Sequence, residues 1–291
     1  MSFQLLSVIF VPMNFLRFFF VVLVLISFNS CKESGCTDPN ALNYNVSASE
    51  DDGSCIMPFD GCTDPVALNF NSEANQDNDS CIYDCIVQIS FTLSGNSTPI
   101  RKYDTFENEM ITYRLENLKY YLTEFSVGNQ NVKDVFLYDV NSYDNSFYFS
   151  YDQTTITNLS FGLGLTEVLN NSEPASYENS HPLSLFQGTY WNMPPASYIF
   201  VMAELKADTI GNENFNFPIT YHLAHKDLYR PVEINSNIDL SITDTTNIII
   251  NLELSELTNN IDITEQIPHQ SVATNAANTI MDNIKNAFTI Q

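Results

Sequence analysis

Residues 188–225 read GTYWNMPPASYIFVMAELKADTIGNENFNFPITYHLAH. A turn around Trp191 and Met193 comes first, followed by the strand-like run SYIFVMAEL, a polar loop, and a second run that ends in Tyr-His-Leu. The only tryptophan of the chain and two of its four histidines, His222 and His225, lie in this stretch. The pattern therefore predicts two strands and indicates the part of the chain where chemistry is expected.

Strand-like runs of the same kind fill residues 86–257 on both sides of this stretch. Asn, Asp, Ser and Gly separate them, and Tyr, Phe, Val, Ile and Thr predominate within them, as in strands that pack on one face. So many strands without intervening helices predict an all-β domain, an antiparallel β-sandwich or barrel. The segment LENLKYYL also fits a helical period, but its neighbours favour a strand. The other runs are IVQISFTLSG, EMITYRLENLKYYLTEFSV, KDVFLYDV, SFYFSYD, TNLSFGLGL, VEINSNIDLSI and NIIINLEL.

The end of the chain has a different period. Apolar residues recur there every three or four positions and would form one stripe along a helix. This apolar stripe predicts one C-terminal helix that covers an open end or face of the sheets, with Ser271 as its N-cap. Docking to a partner is an alternative use of the same stripe. With this helix, the β domain is expected to span residues 86–291. The stripe comprises Ala273, Ala276, Ala277, Ile280, Ile284 and Phe288, spaced three or four residues apart.

An apolar segment near the N-terminus predicts export. Residues 15–28 read FLRFFFVVLVLISF, with Arg17 as the only charge, which fits a signal peptide over residues 1–30 and is short for a spanning helix. A start at Met13 would place this basic residue close to the beginning of the signal. The following Ser30-Cys31 resembles a bacterial lipobox, so Cys31 is predicted to carry a lipid anchor and residues 31–34 to form a linker. Ordinary cleavage near Ser30 is the alternative.

Two copies of a cysteine-bounded repeat follow. Residues 35–55 read GCTDPNALNYNVSASEDDGSC, and residues 61–81 read GCTDPVALNFNSEANQDNDSC. Because the cysteine spacing is the same in both copies and the chain is exported, we expect disulfides Cys36–Cys55 and Cys62–Cys81. Each would stabilise its unit by about 3 kcal/mol in the chain-entropy model. Cys85 has no obvious partner if Cys31 is lipidated, whereas an unmodified Cys31 would leave six cysteines for three pairs.

The two copies are similar to the GCTDPxAxNYxxxAxxDDGSC repeats of secreted Bacteroidetes proteins. Their carboxylate and amide groups are oxygen donors of the kind that calcium prefers, although the spacing is not that of an EF-hand. Asp-Pro and Asp-Asp-Gly sequences also form turns without any metal, so both interpretations stay open. The candidate calcium ligands are Asp38, Asp51, Asp52, Asp64, Asp77 and Asp79, together with Asn43 and Asn69.

Composition restricts the class of function. The chain has 35 acidic and 11 basic residues and a net charge of -24. Such a surface repels phosphate backbones, which argues against nucleic-acid binding. The sequence contains no serine-nucleophile motif, paired-histidine zinc motif, P-loop or dinucleotide fingerprint. We therefore predict a binding protein and not an enzyme.

The β domain carries several motifs in a fixed order: a first F-x-L strand, RLENLKYYLTEFSV, SFGLGL, the Trp191 turn, a His-Leu pair and the closing helix. This order resembles the MbnP-like family of secreted, often lipid-anchored bacterial β-proteins, some of which bind copper. In copper-binding members, histidines and a tryptophan oxidised to kynurenine hold the metal. The resemblance implies Trp191, Met193, His222 and His269 as copper ligands, and imidazole with thioether suits Cu(I).

The chain also departs from the family. Many relatives have a histidine on the first strand, where ISFTLSG offers Ser90 and Thr92. The usual Gly-Tyr after the tryptophan turn is Ser-Tyr here, after an inserted Pro194-Pro195. Packing roles for Trp191 and His222 are therefore the alternative to metal binding. The remaining histidines, His181 and His225, are expected to be loop residues.

Two functions follow from these observations. The resemblance implies a cell-envelope lipoprotein of the outer membrane or cell surface that binds copper for uptake or handling, with a dihaem peroxidase-type enzyme as the partner that matures Trp191. The alternative is a surface binding or adhesion module without metal chemistry, in which the repeats act as a calcium-stabilised spacer. In that case an outer-membrane transporter is the expected neighbour.

Overall fold

The computed structural model describes residues 32–192, 196–267 and 273–291. They form two compact units that divide after Cys81. The predicted signal peptide and the predicted lipidation site Cys31 lie outside the described residues, as do Met193 and His269. In the described ranges, no helix has the length and apolar character needed to cross a membrane.

A disulfide closes each copy of the repeat in the N-terminal unit. Cys36 bonds Cys55 and Cys62 bonds Cys81, with Cα–Cα distances of 4.7 and 4.8 Å. The predicted pairing is therefore confirmed, and Cys36 and Cys62 are the buried ends of the two bridges. Two short parallel pairs accompany the disulfides: β1 (Ser34–Gly35) with β2 (Glu50–Asp51), and β3 (Asp60–Gly61) with β4 (Gln76–Asp77).

The second unit contains the remaining strands and both helices. Its helices are α1 (Glu167–Asn170) and α2 (Asn275–Asn286), with single 3-10 turns at Pro174–Ser176, Leu185–Gln187, Lys226–Leu228 and Leu254–Glu256. Its strands are β5 (Cys85–Gly95), β6 (Thr98–Pro99), β7 (Thr105–Asn108), β8 (Ile111–Val127), β9 (Gln130–Asp139), β10 (Ser146–Tyr151), β11 (Thr155–Leu163), β12 (Tyr190–Trp191), β13 (Ser197–Tyr198), β14 (Val201–Asp208), β15 (Phe217–Leu223), β16 (Arg230–Asp239), β17 (Thr246–Glu253) and β18 (Phe288–Ile290).

These strands form two sheets and one separate hairpin. The small sheet has the order β10-β5-β17-β18, with β6 added to β5. The large sheet has the order β15-β14-β8-β11-β16, with β7 and β9 also paired to β8. All pairs in both sheets are antiparallel except β5 with β17, which is parallel. Strands β12 and β13 form the hairpin. The predicted all-β, mainly antiparallel sandwich with one C-terminal helix is confirmed.

Aromatic side chains fill the space between the two sheets. Phe91 of the small sheet stacks on Phe136 of the large sheet, with 4.9 Å between ring centroids. At another point Phe161 of β11 meets Phe288 of β18 edge to face at 5.2 Å. Each ring that is removed from water in this way stabilises the fold by about 1.5–3 kcal/mol. Rings from facing sheets therefore form one common core.

The long strand β8 organises the large sheet. Its first half pairs with β14 on one edge and with β7 on the other, and its second half pairs with β11 and β9. The segment LENLKYYL lies in this strand, so the strand interpretation is confirmed and the helical period is misleading. Pairing on both edges decides the conformation, because a helix there would break the large sheet between β14 and β11 and leave β9 without its partner.

The predicted strand SYIFVMAEL is interrupted. Ser197 and Tyr198 belong to the hairpin strand β13, and β14 begins only at Val201. The backbone N–H of Phe200 donates to the carbonyl of Leu223 at 2.7 Å, so the chain crosses from the hairpin to the large sheet at this point. The break separates Trp191 and its hairpin from the sheet that carries His222.

Two details of the C-terminal helix correct the sequence prediction. Thr274 is the N-cap of α2, since its Oγ1 accepts a hydrogen bond from the N–H of Ala277 at 3.1 Å. The N-cap prediction for Ser271 is therefore wrong. The helix ends at its C-cap Ala287, so Phe288 belongs to β18 and not to the helical stripe. The buried face of α2 consists of Ala277, Ile280, Met281 and Ile284.

Arg230 at the start of β16 attaches this helix to the large sheet. Its Nε donates to Asp282 Oδ1 at 2.5 Å, and another guanidinium nitrogen donates to Asn278 Oδ1 at 2.6 Å. The Arg230 side chain is only 16% exposed, so these charge-assisted bonds are partly shielded from water. The helix thus covers a face of the sandwich, as the apolar stripe predicts.

Candidate metal site on the outer face of the large sheet

His222 lies on strand β15 and faces away from the core. Its neighbours along the strand, Tyr221 and Leu223, are fully buried in the sandwich, whereas the His222 side chain is 16% exposed. Alternation along the strand therefore places His222 on the outer face. Its Nε2 is 3.0 Å from Oε1 of Glu204 on the adjacent strand β14. The carboxylate fixes one ring nitrogen and with it the orientation of the imidazole.

Met202 lies next to this pair. It is the direct cross-strand partner of His222 in the antiparallel register of β14 and β15. Cβ atoms of such partners are about 4.5–5.5 Å apart. Its Sδ accepts a hydrogen bond from Asn117 Nδ2 at 3.4 Å. With Ile199 and Ala224, Met202 forms a small apolar cluster separate from the main core. An imidazole, a thioether and a carboxylate thus share one surface.

On the opposite edge of β14, Lys119 of β8 is the register partner of Met202. The Lys119 ammonium is 2.9 Å from Asp139 Oδ2 and donates to the carbonyl of Gln187 at 2.8 Å. Burial alone would raise the pKa of Asp139, but hydrogen bonds from Lys119 and Asn141 hold that pKa below its ordinary value. Asp139 is therefore ionised at neutral pH and neutralises the positive charge of Lys119 beside Met202.

Trp191 lies on the β12–β13 hairpin, half-buried, opposite Ser197. Ser197 Oγ donates to the carbonyl of Ala224 at 3.0 Å, two residues after His222. This bond attaches the hairpin of Trp191 to the end of the strand that carries His222. The structure therefore brings together the backbone segments of two of the four copper candidates.

The other two candidates, Met193 and His269, lie outside the described residues. The described chain stops two residues before His269, at Ile267, which is bonded on both sides to the His222 strand. The N–H of Ile267 donates to the carbonyl of Thr220 at 2.8 Å, and the N–H of His222 donates to the carbonyl of Ile267 at 2.6 Å. The segment that leads to His269 is thus attached directly beside His222.

Ser90 and Thr92 on the first strand are occupied by the sheet itself. Ser90 Oγ donates to Asn247 Oδ1 at 2.9 Å, and Thr92 Oγ1 donates to Asn251 Oδ1 at 3.0 Å. These bonds link the parallel strands β5 and β17 side by side. The two hydroxyls therefore have a structural role in the small sheet.

The remaining histidines support loops, as expected. His181 stacks on Tyr177 with 4.2 Å between ring centroids, and its Nδ1 accepts from the N–H of Leu183 at 3.1 Å. Burial, and to a lesser extent Lys133, lowers the pKa of His181. The Nδ1 of His225 accepts from the N–H of Asp227 at 3.2 Å and caps a 3-10 turn. Neither ring contributes to the His222 surface.

The acidic side chains of the repeats are used in local turns. In five of them, one carboxylate oxygen accepts a hydrogen bond at 2.9–3.0 Å from the backbone N–H of the second residue that follows in the chain. These are Asp38, Asp51, Asp52, Asp64 and Asp77. Asn43 Nδ2 and Asn69 Nδ2 each donate across their loop to a serine carbonyl at 2.6 Å. Asp79 is one of the residues whose N–H is capped in this way. These bonds are those of local turns, which the Asp-Pro and Asp-Asp-Gly sequences can form without a metal.

Within the described ranges, no three His, Cys, Asp or Glu side chains converge as a metal-binding group. The calcium assignment for the repeats therefore stays a prediction. Cys85 is a buried free thiol in the described part of the chain, and burial raises its pKa.

Sequence reasoning did not identify Met202 and Glu204 as part of the site. Their spacing of two residues in VMAEL places both on one face of a strand, which is a signal available from the sequence. Their proximity to His222 depends on the register of β14 with β15, and that register joins residues about twenty positions apart. Only the paired strands bring the three side chains together.

These features define a class: a two-sheet β-sandwich, closed by a C-terminal helix, with a histidine, a thioether and a carboxylate on one outer face. The chain belongs to the MbnP family, because residues 85–281 match the sequence model of that family. This family is associated with copper. MbnP from Methylosinus trichosporium is a similar solved structure, with 15% sequence identity over 62% of this chain and 79% of its own, and a TM-score of 0.44. No curated protein matches the chain significantly.

Proposed function

We propose that this chain is an exported copper-binding protein of the cell envelope and that His222 is the central copper ligand. Two findings support the proposal: membership of a copper-associated family and the bond between His222 Nε2 and Glu204 Oε1. The second finding carries it, because histidines that bind metals characteristically have their other ring nitrogen held by a carboxylate or a carbonyl.

The chemistry of the neighbouring groups favours copper in the reduced state. With Nε2 on Glu204, Nδ1 is the nitrogen of His222 that would bind the metal. Thioether sulfur and imidazole nitrogen are ligands that Cu(I) accepts, whereas calcium and magnesium prefer oxygen. Met202 Sδ supplies such a sulfur on the same face. From the family resemblance, Trp191, Met193 and His269 are proposed as further ligands.

The cellular setting in this proposal follows from the sequence and the disulfides. Two formed disulfides fit an oxidising compartment outside the cytoplasm. A lipid on Cys31 would attach the chain to the outer membrane or cell surface, where copper is taken up or handled. A dihaem peroxidase-type enzyme is the proposed partner, with oxidation of Trp191 as its task. In this role the protein binds and transfers copper and catalyses no reaction of its own.

Competition for Cu(I) with a coloured chelator tests the proposal. We expect the wild-type protein to withdraw about one copper per chain from the chelator, and His222→Ala to lose at least tenfold in affinity. His225→Ala is the matched control, since this histidine lies three residues away and caps a turn. Met202→Leu should weaken Cu(I) binding and leave zinc binding unchanged. Equal affinity of His222→Ala and wild type would contradict the proposal.

A second function, that of a surface binding or adhesion module, is supported by one feature of the repeats. Both copies expose an aliphatic and an aromatic side chain at matching positions: Leu42 and Tyr44 in the first, Leu68 and Phe70 in the second. Exposed apolar side chains that form a contiguous patch mark contact surfaces, and in this second function the four side chains contribute to such a patch. A wild-type protein that takes up no copper would favour this function.

A further inference from the structure

A cleft opens at the edge of the small sheet, where β5 has a gap in its pairing. Strand β10 pairs with β5 from Cys85 to Ser90, and β6 pairs with it only at Ser94 and Gly95. Residues 91–93 have no strand partner on that edge in the described chain, and loop residues bond to it instead: the N–H of Phe91 donates to the carbonyl of Asn145 at 2.9 Å, and the N–H of Ile100 donates to the carbonyl of Leu93 at 3.1 Å. The cleft has a volume of about 600 Å³, and its lining includes Phe91, Leu93, Ile100 and Tyr138 together with the charged residues Arg101 and Asp104.

Tyr138 contributes a hydroxyl group to the lining of this cleft. The side chain is 5% exposed, and its ring stacks on Tyr120 with 4.6 Å between centroids. Its hydroxyl makes no hydrogen bond within the parts of the chain that the structure describes. Burial, with a smaller effect of Asp139, raises the pKa of this hydroxyl far above its ordinary value, so it keeps its proton and can donate. This hydroxyl is therefore a donor that a ligand in the cleft can use.

Arg101 provides a positive charge at the mouth of the cleft. Its guanidinium forms no ion pair with any described residue, although the chain has 35 acidic residues for 11 basic ones. The nearest carboxylate on the cleft, Asp104, accepts the backbone N–H of Arg101 at 2.8 Å and is held in that turn. The neighbouring Lys102 donates to Asn141 Oδ1 at 2.7 Å. Arg101 is therefore the basic group that is available to a ligand here.

We propose that this cleft binds a small amphipathic carboxylate. The apolar body would lie against Phe91, Leu93 and Ile100, and the carboxylate would accept hydrogen bonds from Arg101 and the Tyr138 hydroxyl. Ligand sites of this size typically combine an apolar wall with a few convergent polar groups, and hydrogen bonds to an ionised carboxylate are the stronger kind. The cleft is independent of the copper proposal, because Tyr138 and Phe91 face the core between the sheets while Met202 and His222 lie on the outer face.

Isothermal titration of the full chain with decanoate tests this inference. Decyltrimethylammonium has a tail of the same length and the opposite charge, and the net charge of -24 would favour it at any non-specific surface. We expect one saturable site for decanoate and at least tenfold weaker binding of the cation. Arg101→Gln should weaken decanoate binding about tenfold and Tyr138→Phe about threefold, with Lys102→Gln unchanged as the matched control.

Three results would overturn the inference: no saturable decanoate binding, equal or tighter binding of the cation, or an Arg101→Gln variant that binds as the wild type does. Because Tyr138→Phe keeps the ring and its stacking on Tyr120, a folded variant is expected. The far-ultraviolet circular dichroism of each variant establishes that the sheets are retained.

Discussion

Adjacent tyrosines on β8 form a matched pair for measuring how a buried hydroxyl affects stability. Tyr120 and Tyr121 are 1% and 0% exposed and point to opposite faces of the strand. The Tyr121 hydroxyl donates to the carbonyl of Pro182 at 2.9 Å and is 2.6 Å from Thr189 Oγ1. The Tyr120 hydroxyl is buried without any hydrogen-bond partner in the described chain. The same substitution therefore has opposite consequences at neighbouring positions.

The expected magnitudes follow from the partners that each hydroxyl leaves behind. Tyr121→Phe leaves the part-buried Pro182 carbonyl and the fully buried Thr189 hydroxyl without their partner, which lowers the free energy of unfolding by about 1–3 kcal/mol. Tyr120→Phe keeps the ring contacts with Tyr138 and Phe288 and removes an unsatisfied polar group. We expect this variant to be unchanged or more stable by about 1 kcal/mol.

Urea unfolding followed by tryptophan fluorescence measures both variants. Trp191 is the only tryptophan, so the signal reports on the β domain and not on the disulfide repeats. A shift of the midpoint at constant slope gives the change in stability. The reasoning is refuted if Tyr120→Phe is destabilised by about as much as Tyr121→Phe, because Tyr120 would then have a partner that the structure does not show.

Two further predictions concern charge and the repeats. Burial alone would raise the pKa of Glu253, but hydrogen bonds from Ser255, Ser94 and the N–H groups of Ser97 and Asn96 hold it below its ordinary value of 4.5. The stability that Glu253 contributes is therefore present above about pH 4.5 and is lost as the pH falls through the folded-state pKa. Glu253→Gln should therefore flatten the acid side of a plot of urea midpoint against pH. An unchanged plot would contradict this prediction. Replacing Cys36 and Cys55 by Ser should lower the stability of the first repeat by about 3 kcal/mol. Limited proteolysis would detect this loss as cleavage within residues 36–55. The second repeat is the internal control and should stay intact.

The strands of the β domain were largely predictable because their signal is local. Alternating apolar residues and turn clusters identify β9, β10 and β15 to within a few residues. The disulfides were predictable for the same reason, since the repeat supplies its own spacing. The N-cap at Thr274 and the position of Phe288 in β18 could not be predicted in this way, because they depend on where α2 begins and ends against the sheets.

The candidate site was predictable only in part. His222 and Trp191 were identified through the family resemblance, and the structure joins their segments through Ser197 and Ala224. Glu204 and Met202 were missed, because cross-strand register is a tertiary property that a single sequence does not reveal. The parallel pairing of β5 with β17 was missed for the same reason, and with it the polar bonds that occupy Ser90 and Thr92.

The copper content of the protein tests the central claim most directly. The chain would be purified from its native host, dialysed against a weak chelator and analysed by elemental mass spectrometry, with the His222→Ala and His225→Ala variants processed in parallel. The account predicts about one copper per chain in the wild type and in His225→Ala, and almost none in His222→Ala. A wild-type protein free of copper after growth in copper-containing medium would contradict it and would leave Trp191 and His222 as packing residues of a surface binding module.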